Sequence, residues 1–80
     1  MTRDEAQRWF VQMLMEKVRR DRVPSATQMT LIEQSLPREM IPEYLGILMD
    51  KVAEDNVPSL MMLRRIQNVA ASLPQFERES

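Results

Sequence analysis

The chain has 80 residues, with no Cys, no His, one Gly, and 11 basic against 12 acidic side chains for a net charge of −1. Without Cys or His there is no disulfide framework, thiolate nucleophile, His-based triad or imidazole metal ligand, and a lone Gly46 excludes a glycine-rich phosphate loop. Near-neutrality argues against nucleic-acid binding driven by bulk charge, and no apolar run approaches the ~18 residues of a membrane span.

The start, Met1-Thr2-Arg3-Asp4-Glu5, reads as acidic rather than as a signal peptide. Thr2 followed by Glu5 is a capping box and opens the first helix. Apolar residues follow at Ala6, Phe10, Leu14 and Val18, with Val11 and Met15 beside them. Phe10, Val11, Leu14 and Val18 occupy a stripe about 100° wide. The helix is expected to run to about Arg22, where Val23-Pro24 stops it, because the residue before proline avoids the helical region.

Ser25 caps a second helix and forms a second capping box with Gln28; this helix carries Ala26, Met29, Ile32 and Leu36 inward and ends at Pro37. The third helix starts at Ile41-Pro42, with proline in the tolerated first turn, and buries Tyr44, Leu45, Leu48, Met49 and Val52. Val57-Pro58-Ser59 repeats the turn. The fourth helix buries Leu60, Leu63, Ile66, Val69, Ala70 and Leu73, and Pro74 ends it.

These elements form an internal repeat. Shifted by 34, Phe10–Leu36 aligns with Tyr44–Ala70, and nine of 27 positions are identical: Leu14/Leu48, Met15/Met49, Lys17/Lys51, Val18/Val52, Asp21/Asp55, Val23/Val57, Pro24/Pro58, Ser25/Ser59 and Ile32/Ile66. No segment alternates with period two, so no sheet is expected. The expected fold class is all-α: four helices as two tandem helix-turn-helix hairpins in a compact bundle. They make one domain over residues 1–74, with units of about 3–37 and 41–74, followed by a flexible tail over 75–80.

Helical hairpins with a period near 34 occur in tetratricopeptide and pentatricopeptide arrays. The stretch Tyr44 to Ser59, a helix ending in Val-Pro-Ser, resembles a pentatricopeptide repeat boundary over about one unit. Such arrays read RNA with many repeats and a basic concave face, whereas this chain has two units and a net charge of −1. The tetratricopeptide pattern does not occur at its spacing, and no family is assigned.

Lys17/Lys51 and Asp21/Asp55 recur at a spacing of four, which places each pair on one helix face. One reading is a duplicated binding site. The other is fold maintenance, with the lysine stem laid over the core so that its head reaches the aspartate. The carboxylates Glu16, Asp21, Glu33, Asp50, Glu54 and Asp55 lack calcium-loop spacing. Nothing promises the burial that acid/base work needs. No catalytic residue, cofactor or metal site is expected.

The differences between the units carry more of the functional signal. Arg19, Arg20 and Arg22 correspond to Ala53, Glu54 and Asn56, and Arg64 and Arg65 to Thr30 and Leu31. The repeated architecture does not require these five arginines. They read either as a patch for phosphate or an acidic partner, or as complements to the helix macrodipole. Met13 and Ile47 share a wheel position about 60° off the edge of the main stripe, Trp9 lies beside them, and Met61 falls off the fourth helix's stripe. A Trp/Met edge has the composition of interface anchors. It is equally the wide apolar face of a helix with two neighbours.

Burial of apolar surface contributes on the order of 120 kcal/mol, and ordering the chain costs about the same, so a partner or second copy would help it. The leading expectation is a small cytoplasmic, non-catalytic protein-interaction module. It has a protein partner or forms a homodimer, with Trp9, Met13, Ile47 and Met61 as anchors. The competing class is a helix-turn-helix-like nucleic-acid regulator using the arginines of the first and fourth helices. A third, a phage- or plasmid-encoded inhibitor of a host protein, fits the size, though no residue selects it.

Overall fold

The computed structural model describes residues 1–54 and 59–73. The turn expected at Val57-Pro58, the stop at Pro74 and the tail over 75–80 lie outside the described residues. The described chain is all-helical: α1 (Arg3–Arg20), α2 (Ala26–Ser35), a short 3-10 turn (Arg38–Met40), α3 (Ile41–Glu54) and α4 (Leu60–Ala71).

Local chemistry sets the boundaries. The Thr2 hydroxyl accepts from the Glu5 amide at 3.1 Å, and the Glu5 carboxylate accepts from the Thr2 amide at 2.8 Å. The reciprocal bonds satisfy two of the unpaired N–H groups at the helix start. The Thr2 amide, then its hydroxyl, holds the Glu5 carboxyl below its ordinary range. Ser25 and Ser59 cap α2 and α4, but the capping box expected at Ser25 is only half formed: the Ser25 hydroxyl accepts from the Gln28 amide, and the Gln28 side chain does not return a bond to the Ser25 backbone. Helix α1 ends at Arg20, about two residues short of the expected stop. Asp21 is already extended, which turns its carbonyl out of the helix. A 3-10 turn that the sequence pattern did not signal links Pro37 to α3, closed by the Met40 amide donating to the Pro37 carbonyl at 2.9 Å.

Helix α1 packs on α2, α3 on α4, and α1 on α3. The core is built chiefly from α1 and α3: Val11, Met15, Val18, Tyr44 and Leu48 are nearly or fully buried, joined by Ile32 of α2. Helix α4 contributes less than its sequence suggests. Only Val69 is buried, with Met62, Ile66 and Leu73 packed partly against the core. These four recur at helical spacing on one face. Leu60, Leu63 and Ala70, expected inside, are exposed, as are Phe10, Ala26 and Met49. Val52 is half-buried.

Candidate interaction surface

Two polar arrangements hold the helices together. Lys51 of α3 is buried, and its Nζ donates to the backbone carbonyls of Arg19 and Asp21, each at 2.7 Å. These carbonyls lie at the C-terminal end of α1, where helical C=O groups lack partners and the dipole favours a cation. The lysine stem crosses the core as expected, but the head reaches the Asp21 backbone rather than its carboxylate. Lys17 of α1 is exposed.

Glu33 of α2 is the second junction. Its Oε2 accepts from the Tyr44 hydroxyl at 2.6 Å, and both its oxygens accept from Arg65 Nη1 at 2.9 Å. Arg65 Nη2 adds longer bonds to the Thr30 hydroxyl and the Ala26 carbonyl, both 3.3 Å. Burial, then the hydrogen bond and negative charge of Glu33, push the Tyr44 phenol well above its ordinary value, with Arg65 opposing.

The five arginines therefore separate. Arg65 is a largely buried strut between α2 and α4, and it shares the lining of one cleft with Arg22 and Met61. Arg19 pairs with Glu43 at 3.6 Å across α1 and α3, and Arg20 with Glu16 at 3.1 Å along α1. Arg22 and Arg64 are exposed on different elements. Sequence reasoning missed the strut because Glu33 and Arg65 are 32 residues apart and only the docking of α4 brings them together.

The four candidate anchors separate as well. Ile47 is buried in the core, which corrects its placement on an outer edge; it lies one turn before Lys51, whose head reaches the end of α1. Trp9 and Met13 remain on α1, 69% and 53% exposed, with Phe10 between them in sequence and 38% exposed. They recur at helical spacing and form one apolar edge. Met61 lies elsewhere, at a cleft of about 270 Å³ that Arg22, Val23, Met29 and Met62 also line.

Among the described residues no group of three or more Asp and Glu side chains is placed to hold a metal ion. No described helix is long and apolar enough to cross a membrane. The chain matches no protein-family model, and neither a curated protein nor a solved structure proves similar to it.

Proposed function

We propose that the chain is a non-catalytic protein-interaction module that binds through the α1 edge of Trp9, Phe10 and Met13. The exposure of these three large apolar side chains on one helix supports the reading. Trp is among the residues most often found at interface hot spots, and a clustered apolar patch marks an interaction surface more often than scattered residues do. The absence of His and Cys from the sequence favours a binding role over catalysis. A nucleic-acid regulator has less support, since Arg19, Arg20 and Arg65 are each engaged by a carboxylate.

The test is affinity capture with tagged wild-type chain and with the Trp9→Glu/Met13→Glu variant, each with and without nuclease. The expected result is a protein partner that survives nuclease and is lost from the variant while its circular dichroism stays helical. A partner retained by the variant overturns the assignment. A partner set that disappears with nuclease moves the function to the arginines.

A further inference from the structure

Four pairs of residues 34 apart in this chain have matching chemistry but opposite exposure, while the pairs Val11/Leu45 and Leu14/Leu48, inside the hairpins, are buried in both units. Tyr44 is 0% exposed and Phe10 38%, Ile47 4% and Met13 53%, Met15 2% and Met49 51%, Met29 5% and Leu63 44%. The differences have a single geometric origin. In each pair the buried member faces the junction between the hairpins α1–α2 and α3–α4. Tyr44 and Ile47 are on the side of α3 turned to the first hairpin. Met29 lines a cleft with Lys51 and Met62 of the second hairpin, and Met15 lies one turn before Arg19, whose carbonyl accepts from Lys51. The exposed counterparts lie on the outer sides of the two hairpins, where no further described helix packs. Phe10 and Met13, with Lys17, make an N-terminal face carrying the residue types by which the second hairpin grips the first. Met49 and Leu63 make a C-terminal face carrying the residue types that receive it.

From this we infer that the chain associates head to tail with a second copy of itself, the N-terminal face of one seated on the C-terminal face of the next as its own second hairpin sits on its first. The inference rests on the interaction-module reading and names the partner of the same α1 edge.

The polar bonds at the internal junction show what the two faces would exchange. Lys51 binds the carbonyl of Arg19, and by the same 34-residue offset the second copy's Lys17 meets the carbonyl of Ala53 at the C-terminal end of α3. This is charge complementarity between an exposed cation and the negative pole of a helix. The Arg19–Glu43 pair becomes Ala53 against the second copy's Trp9. The strut from Arg65 to Glu33 and Ala26 becomes the second copy's Leu31 against Gln67 and Leu60. These two ion pairs are thus replaced by apolar or neutral contacts between copies, while the Arg8–Glu39 pair becomes Pro42 against the second copy's Glu5. Trp9, Leu31 and Leu60, all exposed in the single chain, acquire partners.

Such an interface is heterologous: different patches meet, so assembly continues as an open stack unless the rotation closes a ring. This predicts a complementation that no two-fold dimer produces. Met13→Glu disables the N-terminal face and Met49→Glu the C-terminal face. Both positions are about half exposed, so circular dichroism should remain that of the wild type. By sedimentation equilibrium over a concentration series, the wild type is expected to grow beyond a dimer and each variant alone to stay monomeric. A mixture of the two forms a one-to-one dimer and nothing larger, because one intact face of each kind remains. Lys17→Glu, a second N-terminal-face variant, is expected to weaken wild-type association by roughly tenfold or more.

A Met49→Glu chain that dimerises as well as the wild type overturns the head-to-tail geometry in favour of a two-fold pairing of α1 edges. A wild type that stays monomeric throughout overturns self-association altogether. In that case a lysate partner still lost from Trp9→Glu/Met13→Glu would show that the module reading holds without the stack.

Discussion

Lys51 closes the C-terminal end of α1 with two short bonds to backbone carbonyls, while Lys17, 34 residues earlier and in the same local sequence, is exposed. The same residue type therefore has two different energetic roles. Lys51→Met keeps the stem's packing but leaves the Arg19 and Asp21 carbonyls without their donor. Loss of hydrogen bonds from a buried charged donor to partly buried carbonyls costs about 2 kcal/mol, which for a domain of this size lowers Tm by about 10 °C. Lys17→Met, measured at a concentration where the chain is monomeric, is expected to change stability by no more than about 0.5 kcal/mol. Thermal melts of the two variants side by side check both. Equal effects would remove the capping role assigned to Lys51.

Tyr44 gives the fold a dependence on alkaline pH. Its phenol is raised above the ordinary value of 10.0, first by burial and then by Glu33. The unfolded chain releases this proton near pH 10, whereas the folded chain retains it. The contribution is therefore fully present below about pH 10. Above that it is lost at about 1.4 kcal/mol per pH unit, because the unfolded state then binds fewer protons than the native state. Tyr44 is the only tyrosine, so its phenolate absorbance reports directly. It should appear together with loss of helix rather than before it. In Tyr44→Phe the fall of stability between pH 10 and 11 should be shallower by about that amount per unit. A phenolate that forms while the helices are intact would contradict this burial.

The helices and their caps were largely legible because capping boxes, Pro-terminated segments and apolar periodicity are local signals. Thr2, Ser25 and Ser59 behave as their neighbours in sequence require. Burial was less legible because it depends on which hairpin faces which. Met15 and Met49 are the same residue in matching local sequence, yet one is buried and the other about half exposed. The same degeneracy put Ile47 with Met13 on an outer edge. In α4 the inward stripe through Met62, Ile66, Val69 and Leu73 lies beside the one that Leu60 and Leu63 suggested. Periodicity allows both, and docking against α3, with Arg65 reaching Glu33, selects one. The 3-10 turn after Pro37 has no sequence signature as specific as a capping box.

The two adjacent arginines of α4 should respond differently to removal. Arg65 joins a partly buried carboxylate, a hydroxyl and a carbonyl of α2, whereas Arg64 is exposed. Arg65→Ala leaves Glu33 with an unpaired charge beside the Tyr44 hydroxyl. The pair is neither fully buried nor at the surface, so the cost is expected near 2 kcal/mol, between the surface and buried limits. Arg64→Ala should fall within about 0.5 kcal/mol of the wild type. In a double-mutant cycle, Glu33→Gln combined with Arg65→Ala should cost clearly less than the two single effects added. Additivity would mean that Glu33 and Arg65 do not interact in solution.

Gln28 is a position where the chain gives up stability. Its side-chain oxygen Oε1 is buried and has no hydrogen-bond partner among the described residues, and a buried orphan acceptor carries a desolvation penalty of about 1–3 kcal/mol. The role of Gln28 at the start of α2 does not depend on that oxygen, because it is the backbone amide that donates to the Ser25 hydroxyl. The residue 34 positions later is Met62, which packs partly against the core with a side chain of similar length. Gln28→Met removes the orphan acceptor while keeping the shape, and methionine adapts readily to an irregular gap. It is expected to raise stability by about 1 kcal/mol in denaturant unfolding at unchanged m-value. A loss of stability would show that the Gln28 amide makes a bond in solution, through an ordered water or a shifted rotamer, which the helix then needs.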